Sequence, residues 1–280
     1  MNLQAENSSQ IIAYKGKSGS GDTVTLNDVV IGGGTGDGLI AKSMTFGGLD
    51  VTESGAPVLN SITLKGISPE SGLPEGMTLV LDSISVEGLN DVAGQFLASA
   101  FTEAGPGTPP PFEQWEFSKV SINGMNFTGD FSGMGAPAGS AGKFNVALGE
   151  FSVSGLKNEI FAKAHLSGFK GDFDVPAEAA GGMPIAGKFD FGTGDVTNIR
   201  GGIFADAVEA GMNSAFDETA MASVQADIMA SFTSPLEPGF DSFNWSGMNA
   251  EASGVKLVVS KIEQKATRNA EGVVTALSSP

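Results

Sequence analysis

One short phrase recurs along the chain and constrains its fold more than any other feature. The phrase reads apolar-x-x-apolar-x-apolar-x-Gly-apolar, and it is clearest at residues 81–89, Leu-Asp-Ser-Ile-Ser-Val-Glu-Gly-Leu. Further strict copies begin at Leu59, Phe117, Leu148 and Phe240, and looser copies end at Gly33, Gly48 and Gly168. This recurrence predicts a fold that is assembled from copies of one strand element.

The spacing inside the phrase predicts a strand that bends. Ile84 and Val86 lie two residues apart, which places both side chains on one face of a strand. Leu81 lies three residues before Ile84, and this odd step would move it to the opposite face. A β-bulge that adds one residue would restore it, and so would a two-residue hairpin turn; both alternatives stay open. The closing glycine, Gly88 in this copy, permits a positive φ or a bulge.

The repeated units predict a mainly β protein. We expect an elongated, curved antiparallel sheet built of repeated kinked strand units, with one or two helical segments packed on its apolar face. The 40 glycines and 41% apolar residues agree with this fold class, and collagen is excluded because Gly does not occupy every third position. The paired apolar positions of the phrase should be buried and the residues between them accessible. These apolar positions are Ile62, Leu64, Ile84, Val86, Val120, Ile122, Phe151 and Val153.

The domain organisation follows from where the repeat begins and ends. Residues 21–270 are predicted to form a single repeat-built β domain. Residues 1–20 are polar and rich in Ser and Gly, which predicts a flexible lead-in, and residues 271–280 are predicted to form a tail.

Two segments change from the strand period to the helical period. The first covers about 90–102, where Asn90 or Asp91 is suited to the N-cap. The second covers 203–232 as one or two amphipathic helices. Its apolar stripe is the candidate ligand-binding site, with the residues Val208, Met212, Phe216, Met221, Val224 and Ile228. The stripe either packs into the core or covers an apolar groove, because methionine adapts to irregular apolar partners.

Charge and residue usage exclude several classes of partner. The formal net charge is −17, which disfavours binding to nucleic acid and to anionic membrane surfaces. The absence of cysteine excludes disulfides, thiol chemistry and cysteine-bound metal. No run of about 18 apolar residues occurs, so we expect no integral membrane segment. This chain also shows no signal peptide.

Residues that could carry catalysis are nearly missing from the sequence. The single histidine, His165, occupies the exposed alternate position of a predicted strand, and no Gly-x-Ser-x-Gly motif accompanies it. There is no histidine cluster for a metal site. We therefore predict no catalytic residue, no metal, no cofactor and no enzyme activity.

The repeat phrase resembles the repeats of AsmA-type periplasmic proteins of Gram-negative bacteria. The resemblance rests on the copies that end at Gly66, Gly88, Gly124, Gly155, Gly168 and Gly247. It implies a curved antiparallel sheet that forms a hydrophobic groove, with lipid carriage in the cell envelope. The chain departs from that family by lacking an N-terminal membrane helix and by having more predicted helix.

Two functions from different classes follow. The first is a soluble periplasmic or secreted protein that binds or carries a lipid or another apolar molecule in a β-groove. The second is a non-catalytic structural or protein-interaction scaffold of the envelope or cell surface. A lipid or apolar small molecule is thus the expected partner of the first, and other protein chains are the partners of the second.

Overall fold

The structure is a computed structural model that describes residues 12–32, 38–70, 73, 76–102, 108–130, 142–177, 183–200, 239–270 and 273–279. Most of these residues belong to one antiparallel sheet of fourteen strands. The first strands are β1 (Ile12–Ser20), β2 (Thr23–Ile31), β3 (Leu39–Gly47), β6 (Ser61–Pro69), β7 (Thr78–Glu87), β8 (Phe117–Asp130) and β9 (Lys143–Leu156). The remaining strands are β10 (Ile160–Ser167), β11 (Lys170–Val175), β12 (Ile185–Asp190), β13 (Thr193–Arg200), β14 (Ser242–Ala252), β15 (Val255–Arg268) and β16 (Val274–Ser278).

From β1 to β10 the sheet is a meander in which each of its strands pairs with the sheet strand before it. Strands β10 and β11 act as one long strand, because β9 pairs with β10 through one half of its length and with β11 through the other half. Strands β12 and β13 likewise act as one long strand, because β14 pairs with β13 through one part of its length and with β12 through another. The predicted mainly β, antiparallel, repeat-built sheet is confirmed.

Two rows of residues interrupt the strand pairing, and we call them the first and second break rows. At each row the pairing skips one residue on both neighbouring strands, or two between β7 and β8 at the first row, and then resumes in the same register. The first break row contains Lys15, Asp28, Lys42, Gly66, Asp82, Gly124, Gly149 and Gly168. The second contains Gly48, Asn60, Gly88, Ser118, Gly155, Ala162 and Asn198.

Residues with positive φ occupy alternate strands of each break row. In the first row they are Asp28 (51°), Gly66 (60°), Gly124 (64°) and Gly168 (66°). In the second row they are Gly48 (63°), Gly88 (68°), Gly155 (66°) and Asn198 (50°). The prediction of a positive φ at the closing glycine is therefore confirmed. Asp28 and Asn198 replace glycine because Asp and Asn tolerate this region better than other side chains.

The break rows resolve the odd spacing of the phrase. The copy at 148–156 lies within the single strand β9, so no hairpin divides it. A bulge on one strand would shift the register, and the register of β8 against β9 is the same on both sides of Gly124. Each strand instead carries its own additional residue at the row. The two alternatives that the sequence suggested, a bulge on one strand and a two-residue hairpin turn, are therefore both wrong. Leu81 and Ile84 consequently pack into the same apolar cluster.

Burial along the repeat differs from the prediction. Ile62 is buried, Phe151 is 37% exposed, and the other six predicted apolar positions are half-buried. The serines between them are buried instead, Ser121 being 4% exposed. Small serines are covered by long neighbours on the polar face, such as Glu87, and Ser85 and Ser121 satisfy each other with a 2.9 Å hydrogen bond.

One α-helix, α1 (Asp91–Ser99), occurs among the described residues. The predicted helix near 90–102 is confirmed, and Asn90 is its N-cap. The helix follows the second break row and packs with the short hairpin of β4 (Asp50–Val51) and β5 (Pro57–Val58) against the apolar face. A 3-10 turn, Phe112–Gln114, precedes β8. The predicted helical segment 203–232 lies outside the described residues.

Strands of the sheet occur outside the predicted domain boundaries at both ends. Residues 12–20 form β1 rather than a flexible lead-in, and residues 274–278 form β16 rather than a tail. Both strands lie at a sheet edge, where backbone pairing on one side suffices. Their polar sequences therefore lack the apolar alternation that identified the central strands.

Candidate functional site

The candidate site is the part of the apolar face that crosses the C-terminal half of the sheet. Cross-strand register places five large apolar side chains on one line from β8 to β15, with Gly194 of β13 between the third and the fourth. We call them the apolar row: Ile122, Phe151, Leu166, Trp245 and Ile262. The copies of the phrase in β8 and β14 supply Ile122 and Trp245 from their sixth position, and the copy in β9 supplies Phe151 from its fourth. The repeat thus produces a continuous apolar stripe across the strands.

Exposure rises along this face from the N-terminal to the C-terminal half. Leu26 on β2 and Met44 on β3, which begin the same line of cross-strand neighbours, are fully buried. Ile122 is half-buried, and Ile262 on β15 is 41% exposed. Phe151 is exposed although β9 lies in the middle of the sheet and is paired on both sides. Contiguous exposed apolar side chains mark candidate interaction sites.

Trp245 is held flat over the sheet by Gly194 on the neighbouring strand. A Cβ on Gly194 would overlap the indole ring, so only glycine leaves room for it. The indole N–H donates a hydrogen bond to the carbonyl oxygen of Phe191, and the ring stacks on Phe243 at a centroid distance of 5.9 Å. The ring is therefore fixed in place and presents a face to the apolar row.

A second aromatic patch lies beyond the first break row. The rings of Phe169, Phe189 and Phe191 are in mutual contact at centroid distances of 5.4 to 5.5 Å. Phe127 and Phe144 form a further pair at 4.9 Å. These rings continue the apolar surface toward the other end of the strands.

The apolar row is long enough for an extended hydrocarbon chain. From β8 to β15 it crosses five inter-strand steps of about 4.8 Å, or roughly 24 Å. Half the hydrocarbon thickness of a bilayer, which one acyl chain spans, is about 15 Å. The row is therefore longer than this span.

The opposite face carries a polar cluster around His165. Its Nδ1 lies 2.8 Å from Oδ1 of Asp195, and Nζ of Lys163 lies 2.7 Å from the same oxygen. Burial raises the pKa of Asp195, but the hydrogen bonds from Lys163 and His165 outweigh it, and the pKa ends below its usual value. The sequence placed His165 correctly on the polar face, but nothing in it indicated Asp195, which is 30 residues away.

Ser152, His165 and Asp195 lie in one row on this face. Their hydrogen bonds and ion pairs form a charged network rather than a catalytic triad. Ser152 lies opposite His165 on β9, on the side away from Asp195. Its buried hydroxyl donates to the Glu150 carboxylate. The hydrogen bonds from Lys119, 3.0 Å away, and then from Ser152 lower the pKa of Glu150. A hydroxyl whose proton points to Glu150 is not poised for transfer of that proton to His165.

The residues predicted for ligand binding lie outside the described residues. These are Val208, Met212, Phe216, Met221, Val224 and Ile228. Within the described ranges, no group of three or more His, Asp or Glu side chains could hold a metal ion. None of the helices in those ranges is long and apolar enough to cross a membrane.

Comparison of the chain with protein-family models, with curated proteins and with solved structures found no match.

Proposed function

We propose that this protein binds a lipid or another apolar molecule along the apolar row, as a periplasmic or secreted protein of a Gram-negative bacterium. The observation that carries the proposal is the exposure of Phe151 in the centre of the sheet, between the half-buried Ile122 and Leu166. A large apolar side chain on a central strand is ordinarily covered by a second layer of secondary structure. In this proposal the protein acts by binding and not by catalysis.

The energetics require apolar contact on two sides of the chain. Full transfer of a methylene from water gains about 0.8 kcal/mol, so ten methylenes that touch the sheet with half of their surface gain roughly 4 kcal/mol. That free energy corresponds to millimolar binding, whereas micromolar binding needs about 8 kcal/mol. In this proposal the second wall is the predicted stripe of residues 203–232. We also retain the proposal of a hydrophobic groove like that of AsmA-type proteins, because a groove supplies apolar contact on both sides of the bound chain.

The test is a titration with a fluorescent long-chain fatty acid. Phe151→Asp places a carboxylate in the apolar row and should weaken binding by about tenfold or more, because the charge must be desolvated beside the chain. Asn126→Asp adds the same charge to the polar face of β8 and should bind like the parent. Met212→Asp and Met221→Asp test the predicted stripe separately. Thermal melts show whether each variant is folded.

Mass spectrometry of organic extracts from the purified protein provides an independent measurement. We expect a copurified lipid in the parent and less of it in Phe151→Asp. If the parent carries no extractable lipid and shows no saturable binding, the scaffold function replaces this one.

The outer edge of the sheet favours the scaffold as a second candidate. Among the described residues, β15 pairs with β16 only from Lys265 to Arg268, and the Ser279 hydroxyl donates to the carbonyl oxygen of Glu263, so Val255–Ile262 present an open edge. Val255 is 73% and Leu257 is 54% exposed there. An open apolar edge can accept a strand from another chain. Ultracentrifugation of the parent and of Leu257→Lys tests it, since a scaffold that assembles through this edge should dissociate in the variant.

A further inference from the structure

A small apolar pocket lies at the N-terminal end of the sheet, beside helix α1. Its volume is about 80 Å³. Strands β1 to β3, the β4–β5 hairpin and the end of α1 surround it. The lining residues are Lys17, Val24, Phe46, Leu49, Pro57, Leu59, Ala98 and Phe101. All of them except Lys17 are apolar.

The walls of the pocket are fixed by packing. The rings of Phe46 and Phe101 meet edge to face, with centroids 5.1 Å apart and planes at 75°. Leu59 and Ala98, the latter on α1, are buried and also line the pocket. The pocket is therefore bounded by two rings in contact and by buried side chains.

Lys17 brings a positive charge to this apolar side of the sheet. It pairs across the strands with the buried Leu26, on a line of otherwise apolar neighbours. The side chain is exposed, and it forms no ion pair with a carboxylate among the described residues. A lysine stem can lie along apolar surface while its ammonium group stays at the rim.

We propose that Lys17 and this pocket hold the anionic head and the first carbons of a fatty acid. The inference rests on the proposed function and names its ligand class. The ammonium group of Lys17 pairs with the carboxylate, and the apolar walls take the adjoining methylenes.

The apolar side of the sheet continues beyond the pocket. Val24 and Phe46 begin a second line of cross-strand neighbours on the same face. This line continues through Ile62, Val86 and Val120 to Val153, next to Phe151. Phe46 and Ile62 on this line are buried, so only the first carbons of the ligand are assigned to the pocket.

The experiment compares decanoate with 1-decanol, which has the same chain and no charge, by calorimetric titration of the full chain. We expect the parent to bind decanoate about fivefold more tightly than decanol, and the difference to shrink at high salt. Lys17→Gln should remove the preference and leave decanol binding unchanged. The matched control is Lys65→Gln, an exposed lysine on the polar face, which should retain the preference.

A second variant tests the pocket without changing charge. Ala98→Leu should fill the space and weaken both ligands by a similar factor, with a melt confirming the fold. Equal binding of decanoate and decanol by the parent, or a preference that persists in Lys17→Gln, would overturn this inference while leaving the proposed function in place. Failure of the parent to bind either ligand would overturn both.

Discussion

Gly124 on β8 lies opposite Asp82 on β7, and the two residues approach so closely that a Cβ on Gly124 would overlap the Asp82 side chain. Gly124 also has a φ of +64°, in the region that favours glycine. Both residues belong to the first break row, where the close approach and the left-handed conformation coincide. Glycine is thus favoured at position 124 for two separate reasons.

Replacement of Gly124 by alanine should lower the free energy of unfolding by about 2 to 4 kcal/mol. A non-glycine residue in the left-handed region costs about 1 to 2 kcal/mol, and the overlap with Asp82 adds to it. The control is Gly21→Ala, because Gly21 has a φ of +63° but no atom within 4 Å of an added Cβ. Urea unfolding of both variants separates the two effects. Equal losses would mean that the contact with Asp82 is unimportant.

The sequence predicted the strand elements and the closing glycines because both depend on local residue preference. It could not predict that Asp28 and Asn198 take the left-handed conformation at equivalent positions, since this depends on where each break row crosses the neighbouring strand. The burial of Ser121 likewise depends on long side chains from other strands. The partnership of His165 with Asp195 required knowledge of the register of β10 against β13. Each of these features depends on contacts between residues that are far apart in the sequence.

Gly194→Ala should disturb the packing of Trp245. The added methyl group would overlap the indole ring, and such overpacking costs about 1 to 3 kcal/mol. We expect a lower melting temperature and a shifted tryptophan emission, because only Trp115 accompanies Trp245 in the chain. Gly16→Ala is the control, since its Cβ would meet Asn27 at an ordinary 3.6 Å. An unchanged emission spectrum in Gly194→Ala would contradict the flat placement of the ring.

Asn90 should stabilise helix α1 through two separate hydrogen bonds. Its Oδ1 accepts from the Ala93 N–H at 3.1 Å, and its Nδ2 donates to the carbonyl oxygen of Gln114 at 2.8 Å. Asn90→Ala loses both, and loss of the N-cap alone costs about 1 kcal/mol. Asn90→Asp keeps the cap and loses only the bond to Gln114, so its stability should lie between the parent and the alanine variant. Chemical unfolding checks this order, and identical values for the two variants would exclude a capping contribution.

The polar cluster around His165 should make the protein less stable in acid. The pKa of Asp195 lies below its usual 3.8 and that of Glu150 below its usual 4.5. A lowered pKa in the folded state means that the unfolded chain binds protons first as the pH falls. The stabilisation is therefore complete above about pH 5 and is lost as the pH falls through the lowered values. Partial exposure of both carboxylates limits its size.

Asp195→Asn and Glu150→Gln test this pH dependence. Each variant should melt below the parent at pH 7, and the difference should shrink as the pH falls through the lowered pKa values of the parent. Asp174→Asn, at an exposed position on β11, is the control and should follow the parent across the whole range. Melting temperatures measured between pH 2.5 and 7 give the comparison. A difference between Asp195→Asn and the parent that stays constant over this range would show that the ion pairs do not cause the acid sensitivity.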